Sequence, residues 1–187
     1  MSHFFKRLKW LMLVIAFAGI SSCASINEKK PSYDFYQLQP LPTSLQNKVF
    51  LETLMFEQEE QRTLLTQIET SEQSLSLGAM TYSGLPIIQA KWHSSEGLIG
   101  FASKIFDKSM VLRIIRDIQL VKWPDNNLKA GLLADHSLTS SQKSTTKRVR
   151  EIQNSGKTVV KIIYSGKKIV LINTIENYQL TIEQVNE

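Results

Sequence analysis

With 187 residues the chain has room for one domain with a sizeable core and hardly for two. Lys6, Arg7 and Lys9 supply three units of the formal net charge of +5, and the other bases are spread along the chain rather than gathered with aromatics, which excludes a nucleic-acid-binding signature. Cys23 is the only cysteine, so no disulfide can form within the chain and stability has to come from the core.

The N-terminal stretch decides where the rest is expected to live. A basic head at Lys6, Arg7 and Lys9 is followed by an unbroken apolar run over 10–20 that closes on Ile20-Ser21-Ser22-Cys23. Such a run falls short of the roughly 20 apolar residues of a membrane-spanning helix, so residues 1–22 read as a lipoprotein signal peptide with Cys23 as the lipid acceptor. An ordinary secretory signal with a chance cysteine, or a short anchor, is the competing reading. Acylation at Cys23 would tether the remainder to a membrane, since several acyl chains give stable anchoring. Ala24, rather than Asp, follows the cysteine and points to the outer membrane, on its periplasmic face.

From 23 to 42 the composition is polar and interrupted by Pro31, Pro40 and Pro42, as in a tether, although 33–38 could pair as a short first strand. The domain is expected over 43–187. Within it, 48–57, 62–70, 74–80, 85–92 and 98–102 are short runs rich in β-branched, leucine and aromatic residues, separated by polar or glycine-bearing turns. Spacing this close predicts antiparallel hairpins without crossover helices. Leu64, Thr66, Ile68 and Thr70 alternate with Leu65, Gln67 and Glu69, and the first long strand is apolar on both faces, as in a sheet that curls or is covered twice.

The period then changes. Val111, Leu112, Ile115, Ile118 and Leu120 or Val121 recur at helical spacing, with Arg113, Arg116 and Asp117 on the opposite, solvent side. Asp107 or Ser109 can cap this helix, Trp123-Pro124 ends it, and a second short helix runs to about 132. The serine-rich stretch 135–146 reads as loop. Strands resume over 147–153, 157–164, 168–175 and 177–184, joined by Asn154-Ser155-Gly156 and Ser165-Gly166-Lys167. The expected fold is mainly β with an α component: an incomplete antiparallel barrel around an inserted helical plug or lid.

No constellation carries bond-making chemistry, so the chain does not read as an enzyme. His93 and His136 stand in separate turns without a second ligand at metal spacing, and neither metal nor cofactor is expected. Asp135-His136-Ser137 are sequence neighbours that cannot converge as a triad, and no Gly-x-Ser-x-Gly elbow exists. Glu57, Glu59 and Glu60 form an acidic turn; Lys143, Lys147, Arg148 and Arg150 form a basic one that is either a solvated surface or a face for anionic lipid headgroups.

The stretch Asp117-Ile118-Gln119-Leu120-Val121-Lys122-Trp123-Pro124 followed by Leu128, with Ile169, Leu171, Asn173, Tyr178, Leu180, Ile182 and Glu183 in a second pattern, resembles a family of uncharacterised Gram-negative outer-membrane lipoproteins. That family is in turn similar to the lipoprotein receptor LolB and its soluble carrier LolA. The resemblance implies a half-barrel lidded by helices, an apolar cavity for acyl chains, a lipoprotein, glycolipid or aryl-polyene-type cargo, and a LolA-like periplasmic carrier as partner. It also implies that the turn Tyr82-Ser83-Gly84-Leu85 corresponds to a membrane or transfer loop, but Ser83 stands where the LolB-like receptor presents a leucine. Gly84 keeps the turn, and only Tyr82 and Leu85 can substitute for the apolar wedge.

An incomplete barrel must fill its interior with side chains or leave it for a ligand. The candidates to line that space are Leu51, Leu54, Phe56, Leu64, Ile68, Leu77, Ile88, Trp92, Phe101, Ile115, Ile118 and Trp123, each of which can equally be plain core. Binding or transfer of a lipidic cargo is the first reading. A docking lipoprotein with a solid core that binds a protein partner is the alternative, and an acyl- or glycan-processing enzyme a distant third.

Overall fold

A computed structural model describes residues 32–33, 35–103 and 105–185. The signal segment 1–22, Cys23 and the tether up to Pro31 lie outside the described residues. A two-residue strand pair, β1 (Ser32–Tyr33) and β2 (Tyr36–Gln37), is followed by a 3₁₀ turn at Thr43–Leu45. Five strands then form a meander: β3 (Val49–Glu57), β4 (Gln61–Thr70), β5 (Ser74–Met80), β6 (Pro86–His93) and β7 (Gly97–Ser103). Two helices, α1 (Lys108–Lys122) and α2 (Asp125–Gly131), lead to a second meander of β8 (His136–Ser144), β9 (Lys147–Asn154), β10 (Lys157–Ser165), β11 (Lys168–Asn173) and β12 (Tyr178–Gln184).

The two meanders join through β3 and β12, giving one ten-stranded antiparallel sheet in the order β7-β6-β5-β4-β3-β12-β11-β10-β9-β8. Neither outer strand pairs with the other, so the sheet is not closed into a barrel. The fold is mainly β and half-open. Side chains of α1 bond to residues of β3 and β12, and its backbone accepts bonds from β9 and β10, so the sheet curls around this helix.

Helix α1 starts where Asp107 accepts the Met110 amide at 2.8 Å, a side-chain cap that satisfies one of the orphan donors of the first turn. Its C-terminal half is buried without interruption over 115–121. An amphipathic helix on an open sheet would leave one side wet, and Arg113, Arg116 and Asp117 were placed there by periodicity. Instead Arg116 is fully buried and Asp117 nearly so: the segment 35–42 brings Phe35 against the Arg116 guanidinium, and Tyr178 of β12 bonds to both Arg116 and Asp117. That segment is therefore part of the domain and not tether: Phe35, Tyr36, Leu38 and Leu41 belong to the core.

The Asp-x-Gln-Leu-x-x-Trp-Pro stretch is what holds these layers together. Gln119 grips the backbone of Gln39, the Trp123 indole N–H donates to the Pro40 carbonyl at 3.0 Å, and Leu128 of α2 is fully buried. Gly131 closes α2 against β2, where a Cβ would stand 2.5 Å from Tyr36 Cε2 and 2.6 Å from the Gln37 carbonyl. Among the described residues the core cluster runs from Phe35 to Ile182.

Two local expectations are corrected. The serine-rich stretch is strand β8, paired with β9 along its length, with Leu138 as its single buried residue. As an edge strand wet on both faces it needs no apolar alternation. Arg150, assigned to a solvated basic turn, is buried on β9, where its guanidinium donates to the Leu120 carbonyl, to the Trp123 carbonyl at 3.1 Å and to Asp125 at 2.6 Å. It serves the unpaired carbonyls at the C-terminal end of α1, as does Tyr164, whose hydroxyl donates to the Val121 carbonyl at 2.7 Å.

Candidate functional site: a cleft under the first half of the helix

Between the N-terminal half of α1 and the inner face of β3–β6 lies a cleft of about 530 Å³. Its floor comes from alternate positions of adjacent strands, which face the same side: Leu54 and Phe56 of β3, Leu64 of β4, Leu77 and Ala79 of β5, and Ile88 of β6. Leu180 of β12 adds to it. The roof is Phe106, two residues before α1, with Met110 and Ile114 of that helix, and Arg113 and Asp117 on the same side. Gln58, Glu59 and Glu60 of the β3–β4 turn, Arg62 at the start of β4, and Glu176 of the β11–β12 turn form a polar rim.

The inner polar end of the cleft is a closed network. Arg116 donates to Asp117 at 2.9 Å, to Glu176 at 2.7 Å and to the Tyr178 hydroxyl at 2.8 Å, while that hydroxyl donates to the other oxygen of Asp117. Asn173 donates to Glu176 and to Tyr178, and its side-chain oxygen accepts the Ile175 and Glu176 amides, which shapes the turn. Burial lifts Asp117 above the ordinary aspartate range against the pull of Arg116. Burial, helped by the Asp117 charge, likewise raises the Tyr178 hydroxyl, so it remains a donor. Burial works against the Glu176 charge, but hydrogen bonds and charge from Arg116, with Arg113 beyond, hold it below its usual range. Its chemistry is to fix α1 on the sheet and to give one end of the cleft a charged wall.

Of the residues expected to line an apolar space, Leu54, Phe56, Leu64, Leu77 and Ile88 meet in this cleft. Ile68, Trp92, Ile115, Ile118 and Trp123 are buried core, so the interior is filled under the second half of α1 and open under the first. Leu51 and Phe101 are placed otherwise. Leu51 pairs with Gln67 on the outer face of β3 and is 43% exposed, because strand alternation puts it opposite to Leu54. Phe101 lies on the edge strand β7, has only β6 beside it and is 41% exposed. Phe106, Met110, Ile114, Ala79, Tyr178 and Leu180 were not anticipated; the i, i+4, i+8 spacing of the first three is the signal that would have found them.

The turn at 81–84 is a tight one in which the Gly84 amide donates to the Thr81 carbonyl at 2.9 Å and Gly84 takes φ +80°, a conformation that favours glycine. Ser83 spends its hydroxyl on Thr81 at 2.8 Å. Tyr82, Leu85 and neighbouring Met80 are exposed. His93 ends β6 and stands 3.5 Å from Glu96, and His136 opens β8 and lies against the Phe35 ring, so both are strand-end residues rather than turn residues. Among the described residues no group of three or more His, Cys, Asp or Glu side chains is placed to hold a metal ion, and no helix is long and apolar enough to cross a membrane.

A family model described as a protein of unknown function, DUF3261, matches residues 44–186. The chain belongs to that family. The DUF3261 match takes in both helices, all ten strands of the large sheet and every residue that lines the cleft, while the covering segment 35–42 precedes it. No curated protein matches the chain.

Proposed function

We propose that this protein is a non-catalytic lipoprotein, acylated at Cys23 and held at the periplasmic face of the outer membrane, that binds or passes on an amphiphile whose acyl chain enters the cleft beneath α1. The observation that carries this reading is the cleft itself: an apolar floor and roof with a polar rim, next to the buried core under the second half of α1. Its volume lies within the range of small-molecule sites, about 300–1,000 Å³. Each methylene that leaves water for such a surface contributes about 0.8 kcal/mol, so a chain of modest length is held without any covalent step. The half-open sheet around a helix is the coarse shape such a role needs; the LolA/LolB-like class, a lipoprotein, glycolipid or aryl-polyene-type cargo and a LolA-like donor are part of the proposal and rest on the resemblance of the sequence.

Polar Ser83 at the β5–β6 turn favours binding over insertion of cargo into a bilayer, since the turn offers Tyr82 and Leu85 but no wedge at its tip. The test is native mass spectrometry with lipid extraction on residues 24–187 purified from the periplasm. A stoichiometric acyl-bearing adduct, displaced by a fluorescent fatty-acyl probe, is the expected result. An apo mass together with no probe uptake overturns the reading and leaves a docking lipoprotein.

A further inference from the structure

We propose that the end of the sheet formed by the β8–β9 and β10–β11 turns is a docking surface for an anionic bilayer. The sequence placed a basic run at Lys143, Lys147, Arg148 and Arg150. The structure takes Arg150 out of that group, since its guanidinium is buried on the carbonyls of α1, and brings in two lysines from elsewhere in the chain. Ser165 of β10 faces Lys147 on one side and Lys168 on the other, so these two cations stand two strand spacings apart, about 10 Å. The two turns touch, with the Gly166 amide donating to the Thr146 carbonyl at 3.3 Å, and Lys167 follows directly. Lys143 occupies the irregularity in the β8–β9 register between Gln142 and Ser144. Arg148 lies over the Tyr164 ring at 4.2 Å.

Among the described residues of these two turns and the adjoining end of β12, the cations include Lys143, Lys147, Arg148 and Lys168, and Glu183 is paired with Lys168 at 3.2 Å. Exposed apolar residues adjoin them: the Val185 amide donates to the Leu51 carbonyl, and Val185, Leu51 and Val49 are 46%, 43% and 62% exposed. Cations beside exposed aliphatic side chains suit phosphate-bearing headgroups over acyl chains, where surface potential attracts lysine and arginine.

Lys48 precedes β3 at the end of that strand opposite to the cleft rim. Gln184, which pairs with Glu52 of β3, donates its amide to the Lys167 carbonyl at 3.3 Å, which places the basic turns at that same end. The cleft rim lies at the other ends of these strands, at Glu57–Gln61 and Glu176. Docking by the basic end would therefore turn the cleft mouth, and the Tyr82 turn with it, away from the anchoring bilayer.

Residues 24–187, which contain the whole core and lack the acyl group, are mixed with vesicles of phosphatidylcholine alone or with one-third phosphatidylglycerol, and the bound fraction is read by co-sedimentation. We expect binding to the anionic vesicles to exceed binding to the neutral ones by roughly tenfold and to be lost at high salt. The Lys147→Glu/Lys168→Glu pair should lower it by a similar factor. Lys91→Glu/Lys157→Glu, with the same change of net charge at exposed sites elsewhere, should leave it unchanged. Fluorescence of buried Trp92 and Trp123 reports folding, and Lys143→Gln/Lys168→Gln replaces the first pair if it misfolds. Equal binding to neutral vesicles, equal loss in both charge-reversed pairs, or retention on heparin without vesicle binding would overturn the proposal. None of these readouts depends on what the cleft holds.

Discussion

Gln119 acts as a strand partner for Gln39: its side-chain oxygen accepts the Gln39 amide at 2.8 Å and its side-chain nitrogen donates to the Gln39 carbonyl at 3.1 Å. The same oxygen accepts the Tyr36 hydroxyl at 3.0 Å. A single helical side chain thus satisfies both backbone groups of Gln39, which lies beyond the end of β2. Replacing Gln119 with Ala strands these groups in a buried layer. We expect a loss of about 2–3 kcal/mol in urea unfolding, with faster proteolysis confined to 35–42. A stability change within error would show that the segment is held by its apolar contacts alone.

Arg150 is the second fastening point. Its guanidinium reaches two carbonyls and Asp125 at once, a fork that a lysine ammonium cannot reproduce. Arg150→Met is expected to cost about 3–5 kcal/mol because it leaves buried acceptors unpaired, and Arg150→Lys to recover little of it. Chemical denaturation of the two variants side by side decides this; full recovery by lysine would mean that charge, not geometry, is what matters.

The carboxylates around Arg116 give the domain an acid limb. Glu176 is held below its ordinary value of 4.5, so its contribution to stability is present above that pH and is lost as the pH falls through its lowered value. Asp117 is raised above 3.8 and works in the opposite sense, favouring the fold below that value and less so as the pH rises through its own. We expect stability to fall on acidification below about pH 4.5, and Glu176→Gln to flatten that fall. Thermal melts from pH 3 to 7 would measure it, and an unchanged acid slope in Glu176→Gln would assign the limb to other groups. Tyr178→Phe, which deprives Asp117 of its hydroxyl donor, should cost about 2 kcal/mol at neutral pH.

Ala79 lines the cleft, whereas Ile118 belongs to the filled part of the interior. Ala79→Phe should therefore abolish uptake of a fatty-acyl probe without lowering the melting temperature, because the new ring takes up vacant space. Ile118→Phe has no such space and should cost about 1–3 kcal/mol. Probe titration with parallel melts separates the two, and uptake that survives in Ala79→Phe would place the ligand elsewhere.

Strands and helix were legible because each satisfies a local rule. Leu64, Thr66, Ile68 and Thr70 do share one face, Asp107 does cap α1, and the glycine-bearing turns do close hairpins. What periodicity could not supply is which surface meets which. Arg116, Asp117 and Arg150 look like solvated charges until Phe35, Tyr178 and the end of α1 are brought against them from distant parts of the chain. Leu51 and Leu54 are both apolar residues of one strand, and only the register with β4 and β12 says which of them faces inward.

By itself the sequence determined the alphabet of elements, because hydrophobic period, caps and turn residues act within a few positions of one another. The stretch with Gln119, Trp123 and Leu128 stood out in the sequence only by its resemblance; that Gln119 and Trp123 fasten the covering segment is a finding of the structure. Tertiary structure alone decided that the two meanders join at β3 and β12, that 35–42 closes over the helix, and that the interior is solid under one half of α1 and open under the other. Those outcomes depend on how side-chain volumes add up between elements far apart in the chain, and volume complementarity leaves no periodic trace in the order of residues.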